Sequence, residues 1–181
     1  MVFPGSPFDA DGWLITGSRH GVYEDHKFIQ PLEEFIRRVE EEKIPLLGIC
    51  FGHQIIAQAL GGKVEKFSGG WSVGLKEYKW GNERLKLNAW HQDQVVKKPK
   101  KAKVLAENSF CKYAALSYGD TILTTQPHPE FTNEVIKSLI ETRGKGRVPE
   151  HLLDEALNNI EKKTSLNEIV TKFSSVLNGD L

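Results

Sequence analysis

The strongest chemical signal in the chain is the run Gly48-Ile49-Cys50-Phe51-Gly52-His53-Gln54. A cysteine stands between an apolar run, Leu46 to Ile49, and a helix-compatible stretch, with a glycine two positions away on either side. Small residues there let the backbone bend sharply and leave the side chain projecting from the bend, the logic of the G-x-S-x-G nucleophile turn. The helix that follows presents its first amides and its positive dipole end to the sulfur, which favours the nucleophilic thiolate. The amide of Phe51 points at a developing oxyanion. A small hydrophobic core cysteine is the plain alternative for the same spacing.

A thiolate needs a base. Of six histidines (His20, His26, His53, His91, His128 and His151), His128 stands out in Gln126-Pro127-His128-Pro129-Glu130. The flanking prolines hold the segment extended. Positions i and i+2 of an extended segment share a side, so His128 and Glu130 project the same way. A carboxylate beside an imidazole fixes its tautomer and stabilises the imidazolium, which makes Cys–His–Glu a complete nucleophile, base and orienter set. A surface turn stiffened by proline is the alternative for this segment. The pairs His91-x-Asp93 and His128-x-Glu130 also suit zinc or manganese, but a metal reading leaves Cys50 and its glycines without a role.

Taken jointly and in this order, the Cys50 turn and His128-Pro129-Glu130 resemble the class I glutamine amidotransferases, with their G-x-C-x-G-x-Q turn and late H-P-E. The segment from Trp13 to Tyr23 is similar to the free-standing branch related to the amidotransferase domain of GMP synthase. The resemblance covers roughly residues 12 to 140. It implies that Cys50 attacks the carbonyl carbon of a γ-glutamyl amide and forms a γ-glutamyl thioester. His128 then acts as base and acid, and Glu130 orients it. It further implies oxyanion-hole amides at Ser18, beside Gly17, and at Phe51. Gln54 would lie by the bound glutamyl group, and Trp90, His91 and Gln92, with Asp93, near its α-amino and α-carboxyl groups. No cofactor and no metal is expected.

Two departures from the family pattern stand out. The oxyanion loop reads Gly17-Ser18-Arg19-His20-Gly21 where many members have a Gly-Gly-Pro type. Backbone amides survive that change, and Arg19 has two open readings, a carboxylate partner or a surface salt bridge. Relatives also begin with a β-α-β segment ahead of the Trp13 strand, which here is preceded by about eleven turn-like residues. An unpaired side of that strand invites pairing with another chain.

The elements that must position these residues follow from periodicity. Gly12 to Thr16 and Leu46 to Cys50 are short apolar runs typical of strands buried on both faces. Between them Ile29, Leu32, Phe35, Ile36 and Val39 recur at helical spacing. A helix over Gln54 to Leu60 ends at the Gly61-Gly62 pair. From Val64 to Leu123 the residues alternate as antiparallel strands do, with hairpin turns at Gly81-Asn82 and Gly119-Asp120. Helices return after Pro129, with two more beyond Glu150 divided near Thr164-Ser165. The alternation predicts an α/β fold, and the resemblance specifies a three-layer, flavodoxin-like, mostly parallel sheet with helices on both faces, an antiparallel β insertion and a missing N-terminal β-α-β. One domain is expected over residues 1–181, with an irregular lead-in at 1–11 and C-terminal helices at 150–181.

Composition bounds the rest. The 181 residues carry 24 Lys and Arg against 24 Asp and Glu, a balance that excludes a nucleic-acid binder driven by bulk charge. The basic run Lys97 to Lys103 reads as a solvated loop, with an anionic partner as its alternative. Two cysteines are too few for a disulfide scaffold, and no stretch approaches the ~20 apolar residues of a membrane span. A cytoplasmic protein is expected, acting on glutamine or a γ-glutamyl compound. No ATP-binding P-loop is present, so any synthesis using released ammonia requires a separate synthase partner. The readings that remain are a free-standing γ-glutamyl hydrolase, a subunit that supplies ammonia, a homo-oligomer of either, and a catalytically silent binding module.

Overall fold

The computed structural model describes residues 3–179. After a 3-10 turn at Pro7–Asp9 the chain forms β1 (Trp13–Ile15), α1 (Ile29–Glu41), β2 (Leu46–Ile49), α2 (Phe51–Ala59), β3 (Lys63–Lys66), β4 (Ser72–Trp80) and β5 (Glu83–His91). It continues through β6 (Asp93–Lys97), β7 (Lys103–Glu107), β8 (Ala115–Tyr118), β9 (Ile122–Thr125), α3 (Asn133–Leu139), α4 (Glu150–Asn158) and α5 (Leu166–Asn178).

Seven strands make one sheet in the order β1-β2-β9-β8-β7-β4-β5. Its parallel part is β1, β2 and β9, and the strands from β8 to β5 extend it antiparallel. The antiparallel insertion is therefore continuous with the main sheet. Only β3 and β6 pair separately, as a two-stranded ribbon. The flavodoxin-like α/β expectation holds, with a three-stranded parallel core.

Alternation along the central strands builds two cores. Leu46, Leu116 and Ile122 pack with Phe35 and Ile36 of α1 and Ile55 and Ile56 of α2. Leu47, Ala115 and Leu123 point the other way, onto Ile169 and Val176 of α5. Successive strand residues face opposite sides of a sheet, so each strand feeds both layers. A third cluster, around Val73, Ile136, Ile140 and Leu153, seats α3 and α4 beside β4.

Among the described residues β1 lies at the sheet edge, pairing only with β2, and its Leu14 is half exposed. The lead-in, expected to be irregular, contains one capped turn. Ser6 accepts from the Phe8 amide, Asp9 accepts from the Ser6 amide, and the Pro7 carbonyl accepts from the Trp13 indole. That turn exists because Ser6 and Asp9 satisfy backbone donors that open chain leaves to water. Residues 1–2 and 180–181, at the ends of the expected lead-in and C-terminal helices, lie outside the described residues. The basic run is a loop from 98 to 102 between β6 and β7, with Lys101 paired to Glu40 at 3.0 Å. No described helix is long and apolar enough to cross a membrane.

Candidate active site

Cys50 occupies the residue between β2 and α2, at φ 52° and ψ −100°, one of two described non-glycine residues with positive φ. A side chain in this sparsely populated region stores on the order of 1–3 kcal/mol, held here by its surroundings. The Cys50 amide donates to the Thr125 carbonyl of β9 at 2.8 Å, and its carbonyl accepts from the Gln54 amide at 3.0 Å. The bend is thus pinned on both sides. Its glycines serve close approach. A Cβ on Gly48 would lie 2.7 Å from Ile56 Cδ1 and 2.8 Å from the Gly52 carbonyl carbon, and one on Gly52 would overlap the Ile15 carbonyl. The first strand, the bend and the helix interlock only without those side chains.

His128 comes from the segment after β9. Its amide donates to the Asn88 carbonyl of β5 at 2.8 Å, while the Asn88 side chain donates to the Phe131 carbonyl at 2.9 Å. The imidazole lies flat on Phe131, with centroids 3.8 Å apart and planes at 8°. Nδ1 is 2.7 Å from Glu130 Oε1, which leaves Nε2 for Cys50. Burial opposes charge on this ring, but hydrogen bonds to Cys50 and Glu130 and the charges of both outweigh it and raise its pKa to about 9. The raised value favours the imidazolium, a form suited to give a proton to a leaving amine. A Cβ on Gly17 would sit 2.9 Å from His128 Cε1 and 3.8 Å from Cys50 Cβ. Glycine at position 17 is what lets these two side chains share one space.

That space is a cleft of about 630 Å³. Gly17, Ser18, Cys50, Gln54, Trp90, His91, Gln92, His128 and Glu130 all line it, so nine of the ten expected site residues converge. Phe51 does not. Its side chain is buried in the core beside α1, so only its backbone amide, in the first helical turn where N–H groups have no intrahelical acceptor, can serve the cleft. Gln54 spends its amide N–H groups on the Asp93 carbonyl and Gln126 Oε1, each at 3.0 Å. It braces β6 against the segment holding His128. The His91 ring pairs through Nδ1 with the Asp93 carbonyl at 3.2 Å, and its buried Nε2 has no partner among the described residues. Burial pushes its pKa down to about 3, with the nearby His128 charge adding to the effect, so it presents a neutral ring.

The pairs His91/Asp93 and His128/Glu130 do not assemble a metal site. Among the described residues, His20, Glu24 and His26 are the group whose ligand atoms converge. Arg19 forms no ion pair with a carboxylate among the described residues; its Nε donates to His20 Nε2 at 3.3 Å. Sequence reasoning missed several parts of the cleft. Phe131 and Asn88 position His128, Tyr23 donates to Asp93 Oδ1 at 3.1 Å, and Lys66, Arg143 and Arg147 supply cationic walls. A hint existed for Phe131, one residue beyond H-P-E. The arginines belong to a π-helical continuation of α3 and the turn after it, where spacing gives no warning.

Residues 7–143 match the model of the family described as glutamine amidotransferase class-I. Among curated proteins the chain is 32% identical over 146 residues to γ-glutamyl peptidase 3 of Arabidopsis thaliana, covering 72% of this chain and 59% of that protein. It is 33% identical over 116 residues to one of the subunits of the glutamine-hydrolysing GMP synthase of Methanocaldococcus jannaschii, covering 56% and 62% respectively. The chain thus spans about three fifths of the length of these relatives. A crystal structure of a glutamine amidotransferase from Methylobacillus flagellatus shares the fold at a TM-score of 0.84 and 17% identity, covering 99% of this chain and 79% of that one.

Proposed function

The chain belongs to the class I glutamine amidotransferase family, and from that premise we propose that it hydrolyses γ-glutamyl amide bonds with Cys50 as nucleophile. Cys50 Sγ attacks the γ-carbonyl carbon, and the carbonyl π electrons move onto oxygen, facing the amides of Ser18 and Phe51. The tetrahedral intermediate collapses as the C–N bond breaks, and the imidazolium of His128 gives its proton to the leaving amine. A γ-glutamyl thioester remains. Water then attacks it, His128 takes the water proton, and glutamate departs with the thiolate restored. Glu130 holds the ring so that Nε2 faces the sulfur throughout. The reading rests on one observation: the imidazole braced by Glu130 and Phe131 shares one cleft with a cysteine held at a strained bend.

We favour a γ-glutamyl peptide over free glutamine as substrate. The cleft volume falls in the range that takes drug-sized ligands, beyond the needs of one amino acid. Arg143, Arg147 and Lys66 on its walls suit a leaving amine that carries a carboxylate. The name of the plant relative, a γ-glutamyl peptidase, agrees. A second reading, in which the chain supplies ammonia to a separate synthase, is favoured by the likeness to the archaeal GMP synthase component.

One experiment separates them. A γ-glutamyl dipeptide and glutamine are compared as substrates of the purified protein, with covalent labelling of Cys50 by a diazo-ketone glutamine analogue. The peptide reading expects labelling and at least tenfold higher kcat/KM for the dipeptide. Glutaminase activity that appears only on adding cell extract overturns it in favour of the ammonia-supplying reading. Absence of both labelling and turnover leaves a silent binding module.

A further inference from the structure

The segment joining β1 to α1 carries a second set of chemically capable side chains, which the proposed reaction does not use. His20, Glu24 and His26 each bring one ligand atom within 4.8 Å of the other two. His20 Nδ1 lies 3.5 Å from Glu24 Oε2, and His26 Nε2 lies 2.7 Å from the same oxygen. We propose that these three residues form a binding site for one borderline divalent cation of the zinc type, at the mouth of the catalytic cleft.

The donor set fits that class of ion. Two imidazoles and a carboxylate suit zinc and its neighbours in the first transition row, whereas calcium and magnesium want oxygen alone. Tetrahedral bonds of about 2.0 Å put ligand atoms about 3.3 Å apart. The His20 pair already has that spacing, and the His26 pair needs to open by about 0.6 Å, within the reach of an exposed carboxylate. The rings are also oriented in advance. His26 stacks on Phe28 with centroids 5.6 Å apart and planes at 10°, and His20 meets the edge of the same phenyl ring at 6.0 Å. Phe28 in turn packs on Phe51, the residue after Cys50. Tight turns hold the backbone between them, with the Glu24 amide on the Gly21 carbonyl and the His26 amide on the Glu24 carbonyl.

Each ligand is between 31% and 43% exposed, so a fourth position stays open to water. His20 and Glu24, though not His26, line the same cleft as Cys50, which places the site beside the path of arriving substrate. One local group opposes the ion. Arg19 Nε donates to His20 Nε2 at 3.3 Å. Coordination at Nδ1 moves the ring proton to Nε2, ends that hydrogen bond and releases the guanidinium. The site and Arg19 are thus exclusive partners of one imidazole.

The test must keep ions off the catalytic thiolate, so it uses the full chain carrying Cys50→Ser. Titration with Zn2+ by calorimetry, and with Co2+ by its visible tetrahedral absorption, is expected to give one ion per chain. Adding His26→Gln, or separately Glu24→Gln, is expected to weaken binding at least tenfold and to abolish the tetrahedral bands. Arg19→Gln is expected to tighten it. These exposed substitutions leave the thermal transition unchanged, which checks folding. Binding that disappears with Cys50→Ser, or that survives both ligand substitutions unchanged, overturns the proposal. The outcome does not depend on catalysis, so it stands or falls apart from the hydrolase reading.

Discussion

Cys50 and Cys111 are both free and both buried, 8% and 2% exposed, and they sit in opposite chemical situations. Cys111 follows an Asx turn, its amide donating to Asn108 Oδ1 at 2.7 Å, and packs against Tyr78, Leu85 and Ile169. Burial pushes its thiol up to about 12, so it remains a protonated, inert filler. Cys50 stands at a left-handed bend and lines a cleft together with the His128 imidazole. Burial alone therefore does not separate a core thiol from the proposed nucleophile. The difference is made by the backbone bend and by a charged partner delivered from another part of the chain.

The sharpest way to break that contrast is to exchange the two residues' fates. Cys50→Ser is expected to lower kcat/KM for a γ-glutamyl substrate by about 10⁴-fold or more, since nucleophile and base act as a unit. Cys111→Ala is expected to leave it within about threefold, because that side chain touches only core. Equal losses in the two variants would show that the bend confers nothing. Next in size is the carboxylate proposed to orient the base. Glu130→Gln keeps the shape of the side chain but removes a charge that raises His128, and a loss of about 10²-fold in kcat is expected, with KM little changed. A change in KM alone would assign Glu130 to binding.

Proton linkage sharpens the comparison further. In the proposed reaction His128, raised to about 9, keeps its proton to release the amine, so kcat is expected to fall as pH rises through about 9. Iodoacetamide at pH 8 is expected to modify Cys50 and spare Cys111, whose thiol stays protonated to about 12. The same raised group adds stability that is full below its unfolded value near 6.5 and is lost as pH climbs through 9. Cys50→Ala removes part of the cause, so its denaturation midpoint is expected to vary less between pH 6.5 and 9 than that of the wild type. On the acid side the sign reverses. His53 and His91 are both pushed down to about 3, chiefly by burial. Unfolding lets them take protons below about 6.5, and each then removes up to about 1.4 kcal/mol of stability per pH unit.

What the sequence disclosed about these two cysteines was uneven, for a physical reason. The glycines flanking Cys50 and the prolines flanking His128 act on their own neighbours, so both bends and the shared side of His128 and Glu130 were legible from spacing. The strands and helices of the central sheet were legible too, because Leu46, Leu47, Ile122 and Leu123 must each face a core layer. Contacts made by folding were not. No local pattern announces that Phe131 stacks on His128, that Asn88 of β5 anchors it, or that β3 leaves the main sheet to pair with β6. Nor does periodicity say that a π-helical turn brings Arg143 to the cleft. Gln54 shows the limit of transfer by resemblance: it reaches the cleft, yet its amide donors are committed to holding the protein together.

The smallest expected effects concern stability, and here the two cysteines should move in opposite directions. Cys111→Ser buries a hydroxyl among apolar side chains and is expected to destabilise by about 1–3 kcal/mol, read as a lower denaturation midpoint. Cys50→Gly acts on strain instead. At φ 52° and ψ −100° a Cβ holds the chain in a conformation costing about 1–3 kcal/mol, which glycine adopts freely. Against that relief stands the larger entropy of a glycine in the unfolded chain, about 0.5–1 kcal/mol, together with the lost contact with His128. Above about pH 9, where the His128 charge no longer contributes, a net gain of about 1 kcal/mol is expected, in a protein with no activity. A protein made more stable by deleting its proposed nucleophile would show the bend to be maintained for chemistry against folding. A net loss in Cys50→Gly would instead mark the sulfur and its imidazole as part of what holds β2, β9 and α2 together.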